Sequence, residues 1–206
     1  YCMGGTLLAG AVMLGNDKTD SVKFLASPWD FHAGEKSVGD HVRTGTPSAL
    51  QMIEHKSELP MDWIQSVFAA ANADRALHKF IKFADMEQDS DQARIFVAVE
   101  DWLNDGLDLP GGIARGCLLD WYGENKTASG AWRIGDTAID LKALDMPALV
   151  VASARDRLVP EESSLAMVGI LPQGEVLKPD CGHIGMMTGR KAEAAAWQPL
   201  ARWLVS

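Results

Sequence analysis

Tyr1-Cys2-Met3-Gly4-Gly5-Thr6-Leu7-Leu8-Ala9-Gly10-Ala11-Val12-Met13-Leu14 opens the chain. The glycines after Cys2 read as a tight turn feeding a helix whose small residues let it lie close against a sheet. Asn16 and Asp17 are expected to end that helix, and Val22-Lys23-Phe24-Leu25-Ala26 reads as a short buried strand. Ser27-Pro28 stops the strand and leaves Trp29, Asp30 and Phe31 at its carboxyl end, where open α/β sheets place their sites.

Farther along, Pro147-Ala148-Leu149-Val150-Val151-Ala152-Ser153-Ala154 is an almost unbroken apolar run, the pattern of a parallel strand buried on both faces. It ends at Arg155-Asp156-Arg157, and Val159-Pro160-Glu161-Glu162 opens a helix with Pro and acids in its first turn. Gly174-Glu175-Val176-Leu177-Lys178 is a second strand, closed by Pro179-Asp180-Cys181-Gly182-His183. A final helix from Lys191 to Leu204 carries Trp197, Leu200, Ala201 and Leu204 on one stripe.

Between these two α/β parts the grammar changes. Apolar residues recur at helical spacing from His32 to Gly135, with no convincing strand pattern. The expected organisation is therefore 1–31 as turn, helix and strand of the core, 32–135 as a mostly helical insertion, and 136–206 as the rest of the core. Trp63, Phe68, Phe80, Phe83, Phe96, Trp102, Trp121 and Trp132 are expected for the most part to form the insertion's own core.

The 206 residues are 47% hydrophobic and 23% charged, which excludes a disordered or fibrous chain. Lys and Arg number 19 against 28 Asp and Glu, a net charge of −9, so binding to nucleic-acid phosphates is not expected. The least polar stretch, Cys2 to Gly15, falls short of the ~18 residues needed to span a bilayer. Three scattered cysteines fit no disulfide framework, and a cytoplasmic setting is expected. Asp30, His32, His41 and His55 match no compact ligand spacing, so no metal and no cofactor is expected.

Three residues share a place in this scheme. Cys2 stands in the Gly-rich turn, Asp156 after one strand and His183 after the next. Nucleophile, acid and histidine in that chain order resemble the α/β-hydrolase fold, with Cys in the nucleophile elbow. The expected fold is α/β of that kind, a mostly parallel sheet with its N-terminal strands missing and a large helical lid insertion. The turn would lift the thiol above the sheet, where a helix N-terminus favours thiolate. The Met3 backbone N–H would face the oxyanion, His183 would take the thiol proton, and Asp156 would orient the imidazole. Taken singly, each side chain has a plainer reading, as a buried hydrophobe, a helix cap or a packed histidine. Cys181 and Cys117 keep that reading.

Tyr1-Cys2-Met3-Gly4-Gly5-Thr6, Ala154-Arg155-Asp156-Arg157-Leu158-Val159-Pro160 and Cys181-Gly182-His183-Ile184-Gly185 resemble the three catalytic motifs of poly(3-hydroxyalkanoate) synthases. Asp101-Trp102-Leu103-Asn104-Asp105-Gly106, Leu109-Pro110-Gly111 and Trp121-Tyr122-Gly123-Glu124-Asn125-Lys126 are similar to that family's lid region. Arg157 stands where synthases often have His, and Leu25 to Phe31 matches the family's Leu-Leu-Asp-Phe only loosely. Dienelactone hydrolases share the elbow but have no such long insertion.

The resemblance implies an (R)-3-hydroxyacyl-CoA substrate such as 3-hydroxybutyryl-CoA, an acyl-cysteine intermediate, a growing polyester and released CoA. It also implies an apolar tunnel under the lid, a homodimer or synthase-subunit complex, and a place in the cytoplasm or at the polyester granule surface. Transfer of the acyl group to water by a thiol hydrolase of esters or thioesters is the alternative; a non-catalytic granule-binding piece is a third reading. The chain opens on Tyr1 rather than Met, and is expected to be the C-terminal part of a larger catalytic domain that neither folds fully nor turns over alone.

Overall fold

The computed structural model describes residues 1–15, 18–34, 38–71 and 73–205. In chain order the elements are α1 (Met3–Leu14), β1 (Val22–Leu25), α2 (Val38–Lys56), β2 (Glu58–Leu59), α3 (Met61–Ala71), α4 (Ala73–Ala84) and α5 (Asp91–Asn104). There follow β3 (Leu109–Pro110), α6 (Gly111–Arg115), a π-helical stretch Gly116–Gly123, α7 (Lys126–Ser129), β4 (Arg133–Ile134) and β5 (Thr137–Ala138). A 3-10 turn Leu141–Ala143 leads to β6 (Ala148–Val151), α8 (Glu161–Leu165), β7 (Gly174–Leu177), α9 (Gly185–Thr188), a π-helical turn Glu193–Trp197 and α10 (Gln198–Leu204). Asn16 and Asp17, expected to end α1, lie outside the described residues.

Two compact units emerge, one made of 1–39 with 119–206 and the other of 40–118. Residues 32–34, 38–39 and 119–135, read from sequence as part of the insertion, thus stand with the sheet. In the first unit β1, β6 and β7 form a parallel sheet in the order β1-β6-β7. Val22 faces Ala148 and Leu25 faces Val151 on one side of β6, while Ala148 faces Gly174 and Val151 faces Leu177 on the other. The unbroken apolar run of β6 follows from its central position: all four residues are buried.

Successive side chains of a strand point to opposite faces. Leu149 and Val151 of β6 accordingly pack with Ala26, Cys181, Met186 and Ala196, while Tyr1, Leu200 and Trp203 close over that cluster. The packed stripe of the last helix is Ala196, Leu200 and Trp203, and Trp197 and Leu204 are exposed. The sequence reading had placed Trp197 and Leu204 on the buried stripe. The π-helical turn widens the register just before α10 and rotates the face the helix presents. The Trp197 indole instead donates to the Met186 carbonyl at 3.1 Å.

At the end of β1, α1 comes so close that a Cβ on Gly5 would stand 1.8 Å from Ser27 Oγ. Thr6 Oγ1 donates to the Pro28 carbonyl at 2.6 Å in the same contact. Trp121 and Trp132 are buried, yet not in an insertion core. They belong to an aromatic cluster on the loop after β1, with Phe31 stacked on Trp121 and Trp132 edge-on to both Trp29 and Trp121.

In the second unit, α2 to α6 bury mainly small and β-branched residues, among them Val42, Ala49, Ile53, Val67 and Ala93. Phe68, Phe80 and Trp102 are exposed, against the expectation that the aromatic residues form its core. Instead, rings pair with one another near the surface, Phe80 and Phe83 both against Phe96. Two short antiparallel ladders, β2 with β3 and β4 with β5, also fall where no strand pattern was read or near it. Each spans two residues per strand, too few for alternation to register in sequence.

Candidate active site

Cys2, Asp156 and His183 lie far apart in sequence and come together at the carboxyl ends of the parallel strands. Cys2 precedes α1 with φ 52° and ψ −143°, backbone space that a side chain enters only when its surroundings force it. Two hydrogen bonds supply that force: the Cys2 N–H donates to the Leu25 carbonyl at 2.9 Å, and the Gly5 N–H donates to the Cys2 carbonyl at 2.9 Å. The turn is thereby tied to the last residue of β1. Met3 is the first residue of α1, where helix geometry offers the N–H no carbonyl four residues back.

Asp156 is 7% exposed and held from both sides. Its Oδ1 accepts from the N–H groups of Leu158 and Val159, each at 2.9 Å. Its Oδ2 accepts from His183 Nδ1 at 2.6 Å. The loops carrying the two residues are joined a second time, because the buried Ser153 hydroxyl donates to the Cys181 carbonyl at 2.7 Å. At the surface of the same loops Arg155 Nε pairs with Asp180 Oδ1 at 2.5 Å.

Cys2 stands close enough to the His183 imidazole to act on its charge, on a ring that Asp156 holds. Burial works against its protonated form, but the hydrogen bond to Asp156 and the negative charge of Cys2 and Asp156 outweigh burial and push His183 up to about 9. Tyr1 lies against the imidazole with ring centroids 4.8 Å apart and planes 34° from parallel. Burial, followed by the negative charge of Cys2 and of Asp156, raises its phenol well above the ordinary range. Cys181 is buried two residues before His183, and burial raises its thiol too.

Asp30, set aside as a metal ligand on its spacing, and Asn125, quoted only within a longer motif, form a clasp after β1. Asn125, at φ 52°, donates through Nδ2 to Asp30 Oδ1 at 2.8 Å and accepts at Oδ1 from the Phe31 N–H at 2.9 Å. The His32 ring bonds the Tyr122 carbonyl at 2.9 Å, and the Tyr122 hydroxyl donates to Met3 Sδ at 3.6 Å. His41 and His55 stand in the other unit. Among the described residues no three His, Cys, Asp or Glu side chains gather as metal ligands, and no helix is long and apolar enough to cross a membrane. Sequence reading missed Tyr1 and the Asn125 clasp. The second left a signal, since an Asn in a Gly-Glu-Asn turn is a residue that tolerates left-handed backbone.

No family model matches the sequence. Curated relatives do. The chain is 28% identical over 213 residues to the poly(3-hydroxyalkanoate) polymerase subunit PhaC of Synechocystis, covering 98% of this chain and 56% of the relative. It is 25% identical to the PhaC subunit of Haloarcula marismortui over 206 residues, 98% of this chain and 43% of that one.

The chain resembles PhaC.

The PhaC subunit of Allochromatium vinosum adds 24% identity over 98% of this chain and 58% of its own length. The chain thus spans about half the length of the PhaC relatives it matches. Among solved structures, an α/β fold family hydrolase from Bacillus anthracis aligns over 95% of this chain and 63% of its own, with a TM-score of 0.51 and 10% identity. A thermophilic esterase from Thermogutta terrifontis aligns over 99% and 62%, with a TM-score of 0.52 and 18% identity. The fold is that of a partial α/β-hydrolase.

Proposed function

We propose that this chain carries the nucleophile, acid and base of a poly(3-hydroxyalkanoate) synthase, an acyltransferase that joins 3-hydroxyacyl groups from CoA thioesters into a polyester. The observation that carries the reading is the His183–Asp156 bond with Cys2 near the same imidazole, in a chain that matches PhaC subunits along 98% of its length. The backbone strain stored at Cys2 is of the kind found at functional sites, and supports the same reading.

In this reading His183 Nε2 takes the thiol proton while Nδ1 stays on Asp156. The Cys2 sulfur attacks the thioester carbonyl carbon, with the Met3 N–H facing the oxyanion. The carbon–sulfur bond to CoA breaks, and CoA leaves with the proton from His183. Cys2 now holds the acyl group as a thioester, still activated. A hydroxyl from the growing chain then gives its proton to His183 and attacks that carbonyl. An ester bond forms, the bond to Cys2 breaks, and the proton returns to the thiol. A serine in place of Cys2 would hold the group as an oxygen ester and lose the activation. The Cys2–His183–Asp156 set requires no cofactor for these steps.

The test supplies (R)-3-hydroxybutyryl-CoA to the full-length protein and follows both CoA release and product mass. Polymer with stoichiometric CoA is the expected result. Monomeric 3-hydroxybutyrate without polymer would replace the synthase reading with that of a thiol hydrolase.

A further inference from the structure

Tyr1 stands immediately before Cys2, yet its ring is not directed to solvent. One side of the side chain closes over the cluster of Ala26, Cys181 and Met186, and the ring lies 4.8 Å from the imidazole of His183. The hydroxyl is buried without a hydrogen-bond partner among the described residues. A buried hydroxyl left unsatisfied is destabilising. The described contacts of this side chain are made by its ring.

The His183 ring is held by a hydrogen bond from Nδ1 to Asp156 Oδ2, with Cys2 close enough to act on its charge. A single hydrogen bond at Nδ1 leaves the tilt of the imidazole weakly restrained, and the Tyr1 ring packed beside it restrains that tilt. An aromatic face beside a protonated ring also favours the cation electrostatically. We propose that the Tyr1 ring is a positioning element that backs the imidazole of His183 and keeps it aimed at Cys2 in its protonated as well as its neutral form. This rests on the reading of Cys2 and His183 as nucleophile and base.

The groups facing the imidazole are the Asp156 carboxylate after β6, the Cys2 thiol before α1 and the Tyr1 phenol, with Cys181 on its own loop. Asp180, Arg155 and Lys191 form an ion-pair cluster at the surface of the same loops.

The experiment uses the full-length protein with 13C-labelled histidine. The His183 titration is read by NMR, and kcat and KM for CoA release are measured separately. Wild type is compared with Tyr1→Phe, Tyr1→Leu and, in case Leu fails to fold, Tyr1→Met. The ringless variants are expected to lower the His183 midpoint by about half a pH unit and kcat by about tenfold with KM little changed. Tyr1→Phe is expected to rescue both. A Leu or Met variant with wild-type midpoint and kcat overturns the proposal, as does a Phe variant that behaves like Leu. Failure of the polymerase reading looks different: wild type then yields monomeric 3-hydroxybutyrate without polymer, or releases no CoA, while the His183 midpoint still moves in Tyr1→Leu.

Discussion

His183 Nδ1 and Asp156 Oδ2 stand 2.6 Å apart with both side chains buried, while the other Asp156 oxygen is fixed by two backbone N–H groups. The carboxylate cannot turn away without giving up two further hydrogen bonds, so the imidazole tautomer is set by the loop and not by a mobile side chain. Asp156→Asn keeps the shape and removes the charge. It is expected to lower kcat by about 10²–10⁴, with KM much less affected, in steady-state CoA release.

The same pair makes stability depend on pH. The folded protein holds the His183 proton more tightly than the unfolded chain does, because its value is raised from 6.5 to about 9. The contribution is complete below about 6.5 and is lost as pH rises through about 9. Denaturation midpoints measured from pH 6 to pH 10 should fall across that window, and Asp156→Asn should flatten the fall. A midpoint that climbs through the window would contradict the assignment.

Cys2→Ala is expected to reduce acyl transfer by at least about 10⁴ and to abolish an acyl adduct seen by intact mass after brief exposure to 3-hydroxybutyryl-CoA. The adduct should map to the peptide containing Cys2, leaving Cys117 and Cys181, both buried, unlabelled. Labelling at Cys181 instead would move the nucleophile to the wrong loop.

Gly5 and Gly10 line the same helix but differ in what stands over them. A Cβ at Gly5 meets Ser27 Oγ at 1.8 Å and Ser27 Cβ at 2.6 Å, in a fully buried residue. At Gly10 the obstacles are the ends of the Ile134 and Trp132 side chains, at 2.5 and 2.9 Å. Gly5→Ala is expected to destabilise by about 1–3 kcal/mol or more, and Gly10→Ala by less, in urea titrations. Equal costs would mean that α1 does not sit on the end of β1 as described.

Asn125 supplies both a left-handed backbone and a bifunctional amide. Asn125→Gly removes the amide alone, whereas Asn125→Ala adds backbone strain. Melting should place wild type above Gly and Gly above Ala, with about 1–2 kcal/mol for each step. If Ala proves more stable than Gly, the backbone conformation is not what Asn125 serves.

The core of this fold was legible because it rests on strong one-dimensional signals. Ala148–Val151 could be little other than a central parallel strand, and Cys2, Asp156 and His183 each follow a strand or precede a helix with turn residues at hand. The insertion was less legible. Helical spacing identifies a stripe as apolar but not what covers it, so Phe80 and Trp102 read as core and are exposed. Trp121 and Trp132 were assigned to the wrong unit because adjacency in sequence says nothing of the loop after β1 on which they pack. The face of the last helix was misjudged by the extra residue in its π-helical turn. Tyr1 escaped notice because its role depends on the position of a histidine more than a hundred and eighty places away, a relation no local pattern encodes.

The pairing of β1 with β6 joins Val22 to Ala148 and so closes a loop of about 125 residues. Helices between them can form from local contacts, but the register that brings Cys2 to His183 must wait for that closure and its entropy cost. During folding, then, Cys2 exists for a time apart from His183. The grouping of Cys2, Asp156 and His183 is an attribute of the finished topology, complete only once the long-range pairing of β1 with β6 has been made.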